Sequence, residues 1–231
     1  MKAAPQTAPS RLALFDLDGT LIAKDSDHAF GEFLVALGWA DARQFAAEND
    51  RFYNQYQAGR LDMVEYIDFA TRPWRDRPPA AQAAALERFM REQMAPAIDP
   101  RARALVRSHL DAGDLVAIAT STNEFITRPI AKAFGVEALI ATELERDASG
   151  RVTGRIRGTP SLREGKVLRV EQWLAAQGRR LSDFSTSVCY SDSLNDLPLL
   201  EAVSEPVATN PSPALAALAR QRRWRILDLF A

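Results

Sequence analysis

Short apolar runs closed by turn residues alternate along this chain with stretches of helical periodicity. Residues 12–15 (LALF), 115–120 (LVAIAT), 138–141 and 188–190 read as strands, and 206–208 and 225–227 as late, short ones. Residues 126–134 carry a helical pattern stopped by Gly135, and 166–177 an amphipathic one stopped by Gly178. Residues 143–157 read as a hairpin around Asp147-Ala-Ser-Gly150. Strands separated by helices predict a mostly parallel sheet covered on both faces, with reactive groups collected at its carboxyl edge.

The segment from Ala23 to Asp99 has another rhythm. Phe30, Phe33, Leu34 and Leu37, then Phe45, Phe52, Tyr53 and Tyr56, recur at helical spacing and form packing faces. Gly59, Arg72-Pro73, Pro78-Pro79 and Pro96 break the segment into about four helices. The aromatic stripe is read as core. The predicted organisation is a core domain from residues 1–22 and 100–231, with residues 23–99 inserted after the first strand as a helical cap.

Composition narrows the partners. The chain has 231 residues, 47% of them hydrophobic, enough for a full core and a smaller module. Its 29 basic and 30 acidic residues nearly cancel, so no field exists to hold nucleic acid or an anionic membrane surface. No apolar stretch approaches the length of a membrane span. The single cysteine, Cys189, has no internal disulfide partner and is expected as a small buried residue. Residues 1–10 read as a loose polar tail rather than a secretory signal, which makes the cytoplasm the expected location.

Four polar segments lie at or near strand ends. Asp16-Leu-Asp18-Gly-Thr20 follows the first strand, and alternation points both carboxylates the same way. Two like charges that close repel, and they are tolerated mainly around a divalent cation or a transferring phosphoryl group. Thr120, Ser121 and Thr122 end the second strand, where hydroxyls and the N–H groups of a following helix can hold phosphate oxygens. Lys166, one of four lysines against 25 arginines, opens a helix in REGK. Ser191-Asp192-Ser-Leu-Asn195-Asp196 follows the strand ending in VCY and can meet the first two aspartates.

In their order and spacing, DLDGT, the strand-ending Thr120, Lys166 and SDSLND resemble the motifs of the haloacid dehalogenase superfamily, and within it the phosphoserine-phosphatase-like branch with a small helical cap. The resemblance covers nearly all of the core. It implies an α/β fold, a three-layer Rossmann-like parallel sheet with an inserted helical cap of the C1 type. It also implies a phosphatase acting through an aspartyl phosphate, with Asp16 as nucleophile and Asp18 as acid and then base. Mg²⁺ would be held by Asp16, the Asp18 carbonyl and Asp192. Lys166 would neutralise the phosphate and the nucleophile, while Thr120, Ser121 and Asn195 bind phosphate and Asp196 orients the groups around it. Asp18, where the superfamily's ion pumps carry Thr, argues against a pump.

Substrate choice is expected in the cap. Asp25 stands near the acidic position of phosphoserine phosphatases, but a gapless reading of GRLDMVEYIDFA puts Ala70 where their carboxylate-binding arginine is expected, with Arg72 close by. His28 either touches substrate from the first cap helix or is structural beside Asp27. The expected partner is a small phosphorylated metabolite, without nucleic acid or membrane. A phosphotransferase or phosphomutase would share these residues and differ in what reaches the acyl phosphate. A receiver-like module also places Asp, Thr and Lys at such an edge, but lacks the large insertion and the second aspartate.

Overall fold

A computed structural model describes residues 10–230; most of the expected N-terminal tail lies outside the described residues. In chain order the strands are β1 (Arg11–Phe15), β2 (Leu115–Asn123), β3 (Ala138–Thr142), β4 (Leu144–Arg146), β5 (Val152–Ile156), β6 (Thr186–Ser191), β7 (Glu205–Thr209) and β8 (Arg225–Leu227). The helices are α1 (Ser26–Ala36), α2 (Gln44–Gln57), α3 (Met63–Thr71), α4 (Pro79–Phe89), α5 (Pro100–Asp111), α6 (Glu124–Ala133), α7 (Glu164–Ala175), α8 (Leu197–Ala202) and α9 (Pro213–Arg222).

Six strands form one sheet in the order β3-β2-β1-β6-β7-β8, every ladder parallel, while β4 and β5 pair as the separate antiparallel hairpin. The order reverses between β1 and β6, the crevice where open α/β sheets bind ligands. Alternation along the strands divides the core. Leu12, Leu14, Ala117 and Cys189 pack under Val170 and Leu174 of α7, Leu199 of α8 and Leu215 of α9. Ala13, Phe15, Ile118 and Tyr190 face Val106 of α5 and Ile126 and Ile130 of α6. Helix, sheet and helix make three layers, as expected. Burying each such aliphatic side chain contributes about 1.5–3 kcal/mol.

Between β1 and β2 the chain forms α1 to α5, with a π-helical turn at Met90–Met94 and a short 3-10 turn at Ala95–Ala97 between α4 and α5. The expected breaks are visible: Gly59 has φ +65°, Arg72 caps the end of α3, and Pro79 opens α4. The chain leaves the sheet at Ile22 and returns at Ile98, and those two residues bridge each other. Phe30, Phe33, Phe52, Trp74 and Phe89 join the same apolar cluster as the α5–α6 face of the sheet. Phe125 of α6 connects them, stacked on Trp74 at 4.2 Å and edge-on to Phe30 at 6.1 Å. Under the sheet His109 lies between Asp114, at 2.6 Å from Nδ1, and the Tyr190 hydroxyl, at 2.9 Å from Nε2. Tyr190 in turn stacks on Phe15 at 4.7 Å. No helix among the described residues is long and apolar enough to cross a membrane.

Two elements run past their sequence-based bounds. Strand β2 continues to Asn123, its register against β3 shifting between Ala119 and Asn123, and only then does Asn123 cap α6. Thr120, Ser121 and Thr122 therefore belong to an extended strand end, not to a helix N-terminus. Helix α7 begins at Glu164, which puts Lys166 within its first turn.

Candidate active site

The loop after β1 is built around Gly19. Its φ is +73°, and a Cβ there would lie 2.4 Å from Asp192 Oδ2, so only glycine lets the loops after β1 and β6 meet. Thr20 Oγ1 joins them: it lies 3.3 Å from Asp16 Oδ2 and 3.2 Å from Asp192 Oδ1, and accepts from the Asp192 N–H at 3.0 Å. Asn210, just past β7 with φ +44°, donates through Nδ2 to the Gly19 and Thr20 carbonyls at 3.0 Å each. Asn210 was not among the expected site residues. Its place directly after a strand tip is the signal that could have found it.

Lys166 is fully buried, its Nζ 3.0 Å from Asp16 Oδ1 and 2.6 Å from Asp196 Oδ1. Asp196 Oδ2 accepts from Ser191 Oγ at 2.8 Å. Burial works against the ammonium, but the carboxylates of Asp16 and Asp196 outweigh it and raise the Lys166 pKa. Burial lifts Asp16 to about 6 against the pull of Lys166. The chain enters α7 through Arg163, whose φ of 54° and ψ of −125° suit glycine and cost on the order of 1–3 kcal/mol for a residue with a side chain.

The Asp18 carboxyl turns away from Lys166. Its Oδ1 accepts from Ser26 N at 2.7 Å and its Oδ2 from Thr122 Oγ1 at 2.9 Å. Burial, and then the charge of Asp25, push its pKa well above the carboxylate range, so it holds a proton readily. Thr120 is buried and its Oγ1 accepts from Thr122 N at 3.2 Å. Ser121 Oγ is buried without a protein partner beside the cavity.

Asp16, Asp18, Thr120, Ser121 and Thr122 form one end of a cavity whose other end is made by Asp25, Asp27, His28, Asn49, Phe52, Tyr53, Tyr56 and Tyr66. Asp25 also caps α1, accepting from His28 N at 2.8 Å. The His28 ring lies tilted against Tyr53, with centroids 4.9 Å apart, and pairs with Asp50 Oδ1 at 2.8 Å through Nε2. Asp27 is buried near Asn123 and Tyr66, and burial lifts its pKa to about 7. Two expected residues lie elsewhere. Arg72 is exposed, paired with Asp68 at 2.5 Å, and lines a separate outer groove. Asn195 is buried beside the cavity but donates to the Tyr56 carbonyl at 3.0 Å. Tyr53 and Tyr56, read as core, line the cavity because they sit on the flank of α2 that faces the sheet edge.

A hard dication fits the donor set at the Asp16 end. Asp16 and Asp192 converge on one hydroxyl, and burial, with the charge of Asp16 next, drives the Asp192 pKa well up, as expected for two apposed buried carboxylates of which only Asp16 is paired with Lys166. Among the described residues no three His, Cys, Asp or Glu side chains form a ligating group. A dication there would draw on two carboxylates, the Asp18 backbone carbonyl and water, as oxygen-ligated ions do.

A histidinol-phosphatase of Neisseria meningitidis is 45% identical over 217 residues, covering 94% of this chain and 98% of that protein. The phosphoserine phosphatase SerB1 of Mycobacterium tuberculosis is 32% identical over 94% of this chain and 70% of its own length. A crystal structure of a Bordetella pertussis protein of unknown function superposes with a TM-score of 0.91 at 49% identity, covering 96% of this chain and all of that one. A substrate-bound phosphoserine phosphatase shares the fold, with a TM-score of 0.65 at 17% identity over 94% of this chain and 91% of that one. The family model for haloacid dehalogenase-like hydrolases matches residues 13–201, from the middle of β1 to beyond the Asp192 loop, and the chain belongs to that family.

Proposed function

We propose that this phosphoric monoester hydrolase is a Mg²⁺-dependent phosphatase of a small metabolite whose alcohol carries a cationic amine and no carboxylate, with histidinol phosphate as the first substrate to test. Residues 23–99 act as the cap that supplies this selectivity. One observation carries the substrate reading: among the described residues, the far end of the cavity is lined by Asp25, Asp27, a histidine and aromatic rings, and by no arginine or lysine. Burial raises the pKa of both aspartates, Asp27 to about 7, so a substrate ammonium would draw them into the ionised form and pair with them, whereas a substrate carboxylate would meet no arginine or lysine in the lining. The tyrosine faces suit a ring or a cation. The 45% identical histidinol-phosphatase accords with this reading.

The chemistry runs in two balanced steps. An Asp16 oxygen attacks phosphorus, the bond from phosphorus to the ester oxygen breaks, and Asp18 gives its proton to the departing alkoxide. Water then attacks the phosphorus of the aspartyl phosphate, its proton passes to Asp18, and the bond to Asp16 breaks to release inorganic phosphate. Lys166 balances charge at Asp16 from the buried side, where it cannot exchange with water. Thr120 and Ser121 offer hydroxyls to the non-bridging oxygens. Mg²⁺ bound by Asp16, the Asp18 carbonyl and Asp192 would offset the dianion's charge.

Phosphate release from histidinol phosphate, phosphoethanolamine and phosphoserine, with and without an added alcohol acceptor, tests the assignment. The carboxylate-free amines should exceed phosphoserine in kcat/KM by roughly 100-fold, equivalent to about 2.8 kcal/mol. A preference for phosphoserine would sink the substrate class, and acceptor-dependent turnover would replace hydrolysis by transfer.

A further inference from the structure

The turn joining α2 to α3 rests on two loops of the sheet layer, and those loops lead to the buried lysine and to its second carboxylate. The Tyr56 carbonyl, in the last turn of α2, accepts from the Gly59 N–H at 2.9 Å and from Asn195 Nδ2 at 3.0 Å, so the side chain adds a second bond to the turn. Gly59 follows at φ +65°, and a Cβ there would stand 2.9 Å from Arg163 Nη2 and 3.5 Å from Asn195 Oδ1. Glycine therefore lets the turn sit flush against both side chains. Arg163, in its unfavourable backbone conformation, precedes Lys166 by three residues, and Asn195 adjoins Asp196. Asp196 in turn holds Lys166, and Lys166 holds Asp16.

We propose that Asn195 is a positioning residue rather than a phosphate ligand: with Arg163 it seats the α2–α3 turn, and through Asp196 and Lys166 that seating aligns the Asp16 carboxylate. Closing the cavity and readying the nucleophile are then one event. This inference rests on the phosphatase reading above for its kinetic consequence, but not for its structural one.

The test compares Gly59→Ala and Asn195→Ala, singly and combined, with Asn195→Asp, which keeps the volume but turns an oxygen toward the Tyr56 carbonyl. Amide hydrogen exchange over residues 56–61 is followed in the ligand-free protein, and initial rates are measured on p-nitrophenyl phosphate. Each variant should exchange at least about tenfold faster in that turn, since the bond anchoring it is lost. Each single variant should lose roughly tenfold in kcat, and the combined variant no more than either alone, because both break one contact. Wild-type exchange in Asn195→Ala, full kcat in Gly59→Ala, or losses that multiply in the combined variant would each overturn the proposal. A wild-type protein inactive on every phosphomonoester would remove the phosphatase reading instead, while the exchange comparison would still decide whether Asn195 seats the turn.

Discussion

Two aspartates two residues apart carry different burdens because their partners differ. Asp16 faces an ammonium and Asp18 faces a hydroxyl and an N–H, which suits the first to the nucleophile's part and the second to the proton donor's in the proposed reaction. Asp16→Asn should cut hydrolysis of an aryl phosphate by at least about 1,000-fold while circular dichroism stays unchanged, since Lys166 keeps Asp196; undiminished turnover would reject the nucleophile. Asp192→Asn should raise the Mg²⁺ concentration needed for half-maximal rate by roughly tenfold or more, read from a metal titration after chelation. Asp27 sets a pH dependence of stability. Its carboxyl titrates near 3.8 when unfolded and at about 7 when folded, so between those values the native state binds the extra proton and stability falls as pH rises. The loss reaches about 4 kcal/mol above pH 7. Asp27→Asn should therefore raise the urea midpoint at pH 8 more than at pH 4, and an equal change at both would contradict the burial of that charge.

At the scale of elements, the helical layer is joined to the sheet by aromatic contacts. Trp74 is buried, its ring lies flat on Phe125 of α6, and its Nε1 donates to the Ala70 carbonyl at 3.0 Å. Trp74→Ala should cost about 3–5 kcal/mol in urea unfolding, and Trp74→Phe less, because stacking survives while the hydrogen bond does not. A near-neutral Trp74→Ala would show that the two layers do not depend on this contact. The elements themselves were legible because local rules decide them: apolar runs with turn stops for β1 and β6, and prolines and Gly59 for the helix breaks. What escaped was the strand end at Thr120–Asn123, where polar residues stay extended because β3 and the site loops satisfy them. Local pattern carries no trace of that. Arg72 escaped for the opposite reason: its nearness to Ala70, where the arginine of phosphoserine phosphatases is expected, suggested the cavity, but at the end of α3 that position turns outward to Asp68.

Across the whole molecule, residues from positions 16 to 210 meet at one edge, and their order of appearance was readable even where their contacts were not. DLDGT, Lys166 and SDSLND each follow or open an element that the parallel sheet gathers at its carboxyl side. The cavity's far wall was less legible, since Tyr53, Tyr56 and Tyr66 share the spacing of core aromatics and only tertiary packing separates the two fates.

The pairing of Phe15 with Tyr190 across β1 and β6 puts Asp16 and Ser191 on neighbouring rungs, one step from Asp192. Because side chains change face at every step, one residue gained or lost within either strand would swing a carboxylate to the opposite side of the sheet. Substitutions inside these strands should thus be tolerated by size, whereas single-residue insertions or deletions should abolish phosphate release, so that the interval between the two strand ends acts as a fixed gauge.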